Sequence, residues 1–179
     1  MINNPLIIDS PLNHIGETEM RRRFPSSYEW DEHNLPQMMR PTLTAALARF
    51  ISQQPFFFIA TANQHGHCDA SFRGSASNDQ GEPLPALIVL DERSLIFPDF
   101  SGNGLYNSLG NMATNPHIGM LFVDFGRQRR ARVNGKTTLL AIDDEILSVW
   151  PTAQSIIHVD IEQAYGNCPA RIPKLVPPL

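Results

Sequence analysis

Cysteine is scarce in this chain, and positive charge is outnumbered. Cys68 and Cys168 are the only thiols. They form no CxxC pair, which excludes a thiolate metal site and fits a reducing cytoplasm. Lysine and arginine number 14 against 18 acids, for a formal net charge of −4, so the general basic footprint of a nucleic-acid-binding protein is missing. No apolar run approaches the roughly 20 residues that a membrane span requires. Met1 to Glu19 mixes proline, asparagine and acids where a signal peptide would place an apolar stretch. The expectation is a soluble, cytoplasmic protein with neither nucleic acid nor membrane as its partner. Nucleotide and catalytic signatures are missing too, with no GxGxxG after a strand, no P-loop, no HExxH and no GxSxG. His65 and His67 offer two imidazoles at a turn without a nearby third ligand, so no metal is expected.

What the chain does contain is a body of apolar runs separated by small polar corners. With 179 residues and 42% hydrophobic content, it suits one domain with a sizeable core. Residues 1–40 hold Pro5, Pro11, Pro25 and Pro36 and show no firm periodicity. Arg21, Arg22 and Arg23 there read as the solvated end of a short helix, and the segment reads as an N-terminal arm. Residues 41–165 form the body, and the proline-rich residues 166–179 a C-terminal arm.

Within the body, Leu43, Ala46, Leu47, Phe50 and Ile51 recur at helical spacing between Pro41 and Pro55, predicting an amphipathic helix. Residues 56–62 read as a buried strand, turning at Asn63-Gln64-His65-Gly66 into a much more polar partner strand that carries His67, Asp69, Ser71 and Arg73. One face of that partner must meet water or a ligand. Residues 86–90 and 94–98 predict a second hairpin, and residues 117–125 and 131–140 a third pair. Residues 155–163 read as a last strand. A short helix with Leu105, Leu109, Met112 and Ala113 on one face follows Ser101-Gly102-Asn103-Gly104. A further helix opens on Asp143-Asp144-Glu145 and ends near Trp150, its first-turn acids suiting the helix dipole. About six strands in short hairpins, with no alternating βαβ pattern, favour a closed or nearly closed antiparallel barrel with peripheral helices.

Among candidate site residues, Arg73 stands out. Its guanidinium presents a fixed fork suited to phosphate oxygens, and Gly74 beside it leaves room for a ligand against the backbone. An ion pair with one of the chain's acids is the equal alternative. Arg127 and Arg129 read as charges that blunt a hairpin edge, whereas Arg132, inside the following strand, faces the ligand region.

Several segments, taken together and in order, resemble a known family. They are Phe57-Phe58-Ile59-Ala60-Thr61-Ala62, Cys68-Asp69-Ala70-Ser71-Phe72-Arg73-Gly74, residues 89–99, Gly102-Asn103, Asn115-Pro116 and Arg132-Val133-Asn134-Gly135. The set is similar to the pyridoxamine 5'-phosphate oxidase-like, FMN-binding split-barrel family, nearest to a branch of flavoproteins with an Asp-x-Ser-x-Arg-Gly segment. The likeness covers roughly residues 42–165. It implies a mainly β fold, a six-stranded antiparallel split β-barrel, and a homodimer with FMN in clefts between subunits. It also implies that Ser71, Phe72, Arg73, Gly74, Asn107 and Ser108 hold the phosphate and ribityl chain, with Asn111 near the flavin and Asn103 and Arg132 completing the set. The function implied is a flavin-dependent oxidoreductase acting on a small molecule. A non-catalytic flavin- or haem-binding module of the same fold is the alternative, and a deazaflavin cofactor a third reading. The chain departs from true pyridoxamine 5'-phosphate oxidases at Ser71, where they carry arginine, and at Asn107-Ser108, where they carry an Arg-Lys pair. Phe72 replaces the proline usual in the nearest branch. With those cations gone, a phosphate would rest on Arg73, on hydroxyl and amide donors, and on a helix N-terminus. That family's carboxy-terminal substrate-binding signature has no counterpart in residues 165–179.

Overall fold

The computed structural model describes residues 14–31 and 33–175. The expectations for the first thirteen residues and for Pro177 and Pro178 lie outside them. The chain divides into two compact units, residues 1–39 and 40–179. Among its described residues the first holds two helices, α1 (Ile15–Arg23) and α2 (Leu35–Met38). The arginine run does close α1, and Arg22 is fixed to Glu19 by hydrogen bonds of 2.7 and 2.9 Å.

Among its described residues the second unit is built on seven strands: β1 (Phe56–Ala62), β2 (Cys68–Gly74), β3 (Ile88–Val89), β4 (Ser94–Phe100), β5 (His117–Asp124), β6 (Arg129–Leu140) and β7 (Ala153–Asn167). Three helices interrupt them, α3 (Ala45–Ser52), α4 (Asn107–Thr114) and α5 (Asp144–Val149). All pairings are antiparallel, in the order β2-β1-β5-β6-β7-β4-β3. The count exceeds the expected six because of β3, a two-residue strand where residues 86–90 were expected to pair. Pro83 and Pro85 precede it, and Pro98 sits on β4 beyond its reach, where β4 has only β7 as a neighbour. No ladder joins β2 to the β4–β3 end, so the sheet is a split barrel with an open seam.

The core follows from alternation. Phe57 and Ile59 on β1, Leu95 and Phe97 on β4, Met120 and Phe122 on β5, Val133 on β6, and Ile157 and Val159 on β7 are all buried. Each such side chain contributes about 1.5–3 kcal/mol relative to exposure. Phe50 and Ile51 of α3 join the same cluster. That helix starts four residues later than Pro41 because Thr44 caps it, its hydroxyl accepting from the Leu47 amide at 3.2 Å. Leu43 is buried just ahead of the cap. A smaller cluster gathers Ile96, Ile156 and Trp150, whose indole Nε1 donates to the Pro85 carbonyl at 2.7 Å.

β7 runs beyond the expected strand at both ends. It pairs with β4 through Ala153 to Asp160 and with β6 through Ile156 to Asn167. The β6–β7 register slips at Asn134/Gly135, where a Cβ on Gly135 would lie 2.1 Å from the Asp160 carbonyl oxygen. Part of the segment read as a C-terminal arm is tied down: Gln128 donates to the Ile172 carbonyl at 2.8 Å, and Ile172 is buried.

Candidate functional site

Strand β2 ends the sheet on one side, and its alternation separates two surfaces. Asp69, Ser71 and Arg73 are half-buried on one face, while Cys68, Ala70 and Phe72 are exposed on the other. The first face lines a cleft of about 300 Å³, at the small end of ligand pockets. Its other walls are Asp99 and Phe100 from the end of β4, the loop through Gly102, Asn103 and Gly104, the first residues of α4, and Gln154 from the start of β7. The cleft therefore lies in the seam, where the two ends of the sheet approach each other without a ladder.

A buried ion pair crosses that seam. The Arg73 Nη1 donates to Asp99 Oδ1 at 2.7 Å, with side-chain exposures of 19% and 6%. The other Asp99 oxygen accepts from Gln154 Nε2 at 2.6 Å. The Arg73 Nε is buried without a hydrogen-bond partner, so this guanidinium has a donor still unspent. Of the two sequence readings of Arg73, the structure shows the ion pair.

The α4 corner is held in an unusual conformation. Gly104 takes φ +76°. Tyr106, the N-cap, takes φ 52° and ψ 29° with no side-chain cap, a left-handed geometry that costs a non-glycine residue about 1–3 kcal/mol. Asn103 braces the loop by accepting the Leu105 amide at 3.0 Å. Leu105, expected on the apolar face of the helix, precedes it and is exposed, and the helix buries Ser108 and Met112 instead. The Ser108 hydroxyl donates to Asp69 Oδ2 at 3.0 Å. A carboxylate of the chain itself thus sits against the N-terminal turn that was expected to help hold a phosphate.

Of the residues singled out from sequence, Ser71, Arg73, Asn103, Asn107 and Ser108 meet in the cleft. The others do not line it. Asn111 lies one turn along α4, donating to Thr61 Oγ1 at 3.1 Å. Phe72 is on the opposite face of β2, stacked on Phe56 at 5.3 Å and edge-on to Phe58 at 5.9 Å. Gly74 carries the edge of the Phe72 ring, which a Cβ would meet at 2.8 Å. Arg132, on β6, reaches Tyr165, its Nη1 lying 3.4 Å from the phenol oxygen. Sequence reasoning missed Asp69, Asp99, Tyr106 and Gln154 as lining residues. For Asp69 the signal was present, because a strand period of two places it with Ser71 and Arg73. Among the described residues, no group of three or more His, Cys, Asp or Glu side chains suited to a metal occurs.

Comparison with known proteins agrees with this architecture. The model of the family described as Pyridoxamine 5'-phosphate oxidase matches residues 43–168, a span that includes every residue of the cleft. No curated protein matches the chain. Among solved structures, HupZ of Group A Streptococcus superposes with a TM-score of 0.53 at 16% identity, over 69% of this chain and 93% of that one. A Lactobacillus delbrueckii protein named as a candidate pyridoxamine 5'-phosphate oxidase gives 0.54 at 15%, over 72% and 98%. The conserved protein Rv2991 of Mycobacterium tuberculosis gives 0.50 at 12%, over 74% and 90%. At such identities the likeness speaks for the fold alone.

Proposed function

Since the chain belongs to the pyridoxamine 5'-phosphate oxidase family, we propose that its seam cleft binds FMN and that the protein is a flavin-dependent oxidoreductase acting on a small molecule other than pyridoxamine 5'-phosphate. The observation that carries this reading is the convergence of Ser71, Arg73, Asn103, Asn107 and Ser108 on one cleft, with the buried Arg73 Nε unpartnered beside them. A phosphorylated polyol needs this donor chemistry: a cation for the phosphate, and hydroxyl and amide groups for the chain. The cleft's volume of about 300 Å³ suits that part of the cofactor. When bound, the flavin supplies the redox chemistry by taking up a hydride or electrons. The protein's own residues bind and orient it, with Arg73 held in position by Asp99 and Gln154. Tyr106 is the one lining side chain of a type that ligates haem iron, with no His, Cys or Met beside it.

The same reading includes a homodimer with the site at the subunit interface. What supports it is the outer face of β1 and β2, where Phe58 is 38% and Phe72 59% exposed. This aromatic patch lies on the face of β2 opposite the cleft and is of the kind that a second copy would cover. The two free, exposed cysteines are in keeping with a reducing cytoplasm.

The absorption spectrum and mass of whatever copurifies test the cofactor directly. A flavin spectrum, quenching of FMN fluorescence by the apo-protein, and bleaching by NAD(P)H without oxygen are the expected results. A haem spectrum, or no quenching, overturns the reading. Light scattering should give twice the 20.0 kDa chain mass, and a monomer at micromolar protein would refute the dimer.

A further inference from the structure

The charges lining the cleft are one cation, Arg73, and two carboxylates, Asp69 and Asp99. Asp99 is compensated, since it is 4% exposed and each of its oxygens accepts a hydrogen bond, one from Arg73 and one from Gln154. That pairing engages the Nη1 of Arg73. Among the described residues Asp69 has no such cation, and the hydrogen bond it accepts comes from the neutral Ser108 hydroxyl. Asp69 and Arg73 lie four positions apart on the same face of β2, with Ser71 between them. That is about 13 Å along an extended strand. The cleft is therefore polar along its length, with an arginine end, a hydroxyl in the middle, and a carboxylate against the first turn of α4.

We propose that Asp69 is a specificity-determining residue that selects ligands by charge. Its carboxylate, held on the Ser108 hydroxyl in the first turn of α4, repels an anion from that end of the cleft. A phosphorylated ligand must then lay its phosphate toward Arg73 and present hydrogen-bond donors, such as polyol hydroxyls, to Asp69. A second negative group at the Asp69 end is rejected. This inference rests on the flavin reading and adds to it the direction of the ligand and the cause of its selectivity. It also accounts for Asp69 having Ser108 as its partner, because a hydroxyl satisfies a carboxylate oxygen without cancelling its charge.

The test is Asp69→Asn, which keeps an acceptor for Ser108 and nearly the same shape. Apo-protein is titrated with FMN and with riboflavin, followed by fluorescence quenching. FMN affinity is expected to rise about ten-fold, the order of one unit charge acting through a partly hydrated cleft, while riboflavin changes by no more than about two-fold. Ser108→Ala removes the hydroxyl and leaves the charge, so it should not raise the ratio of FMN to riboflavin affinity. Thermal melts in inorganic phosphate give a readout without flavin, and the midpoint should climb more steeply with phosphate in Asp69→Asn than in the parent. Equal shifts for both flavins, or a fall in the ratio, would overturn the role of Asp69. If the parent binds neither flavin while phosphate still separates the two proteins, the flavin reading fails and charge selection by Asp69 stands. If phosphate does not separate them either, both fall.

Discussion

Replacing Arg73 by alanine should produce two separable losses. The first is stability. Asp99 is 4% exposed, and without the guanidinium it would keep only the Gln154 amide as a partner. Removing one member of a fully buried pair costs about 3–5 kcal/mol, but the Arg73 side chain is 19% exposed and water can partly replace it. A loss of about 2–3 kcal/mol is expected, corresponding to a melting temperature lower by roughly 5–10 °C for a chain of this size. The second loss is ligand affinity. A charge-assisted hydrogen bond to phosphate contributes about 1.5–3 kcal/mol, so FMN should bind roughly ten- to a hundred-fold more weakly, with riboflavin much less affected. Asp99→Asn added to Arg73→Ala distinguishes the two, since it removes the stranded charge and can keep the bond to Gln154. The double variant should recover most of the stability in urea denaturation while staying weak for FMN. Arg73→Lys should recover part of the affinity, because a point charge does not reproduce the fork. Equal weakening of FMN and riboflavin would refute the placement of the phosphate. A double variant no more stable than Arg73→Ala would refute the account of the ion pair.

Two further expectations concern the scaffold. Gly135→Ala should destabilise by about 3 kcal/mol or more, since the added carbon would overlap the Asp160 carbonyl in the β6–β7 ladder; a melting temperature within a degree or two of the parent would contradict the register. At the β3–β4 turn, the Arg93 amide donates to Asp91 at 2.6 Å and holds that carboxyl below its ordinary value. A depressed carboxylate contributes stability above its unfolded value of about 3.9, and the contribution is lost as pH falls through the lower folded value. A carboxyl titration by NMR should therefore place the Asp91 midpoint below that of an unfolded aspartate, and an ordinary or raised midpoint would show that the turn does not hold it.

Much of the scaffold was legible because local signals agreed with one another. Phe56 to Ala62 combined aromatic and β-branched residues with a turn at Gly66, which adopts φ +81°, and the strand has the expected bounds. Period-two alternation in β2 also disclosed which residues face together. The reading failed where the decisive partner is remote in sequence. Nothing near residue 99 says that an aspartate after Pro98 will meet Arg73, and nothing near residue 154 marks a glutamine that will hold Asp99. These contacts depend on how the sheet curves back on itself, not on local pattern. Leu105 was misplaced for a local reason, since its apolar character suited the helix while the left-handed Tyr106 delays the first turn to Asn107. Phe72 and Gly74 were credible as ligand contacts from their neighbours alone, yet strand geometry turns the Phe72 ring to the side away from the cleft.

The open seam also bears on the order in which the molecule can assemble. β2 and β4 lie on different arms of the sheet and are connected only through β1, β5, β6 and β7. The hairpin of β1 and β2 can close early, as a local event, and so can β5 with β6. β4, however, has no long ladder until β7 arrives, and those two strands are distant in sequence, which makes their pairing slow to search for. On a ribosome, Arg73 emerges well before the strand that will carry Asp99 to it has been anchored. The cleft therefore requires β7 to join the sheet, and a chain halted before β7 would expose Arg73 without its carboxylate partner.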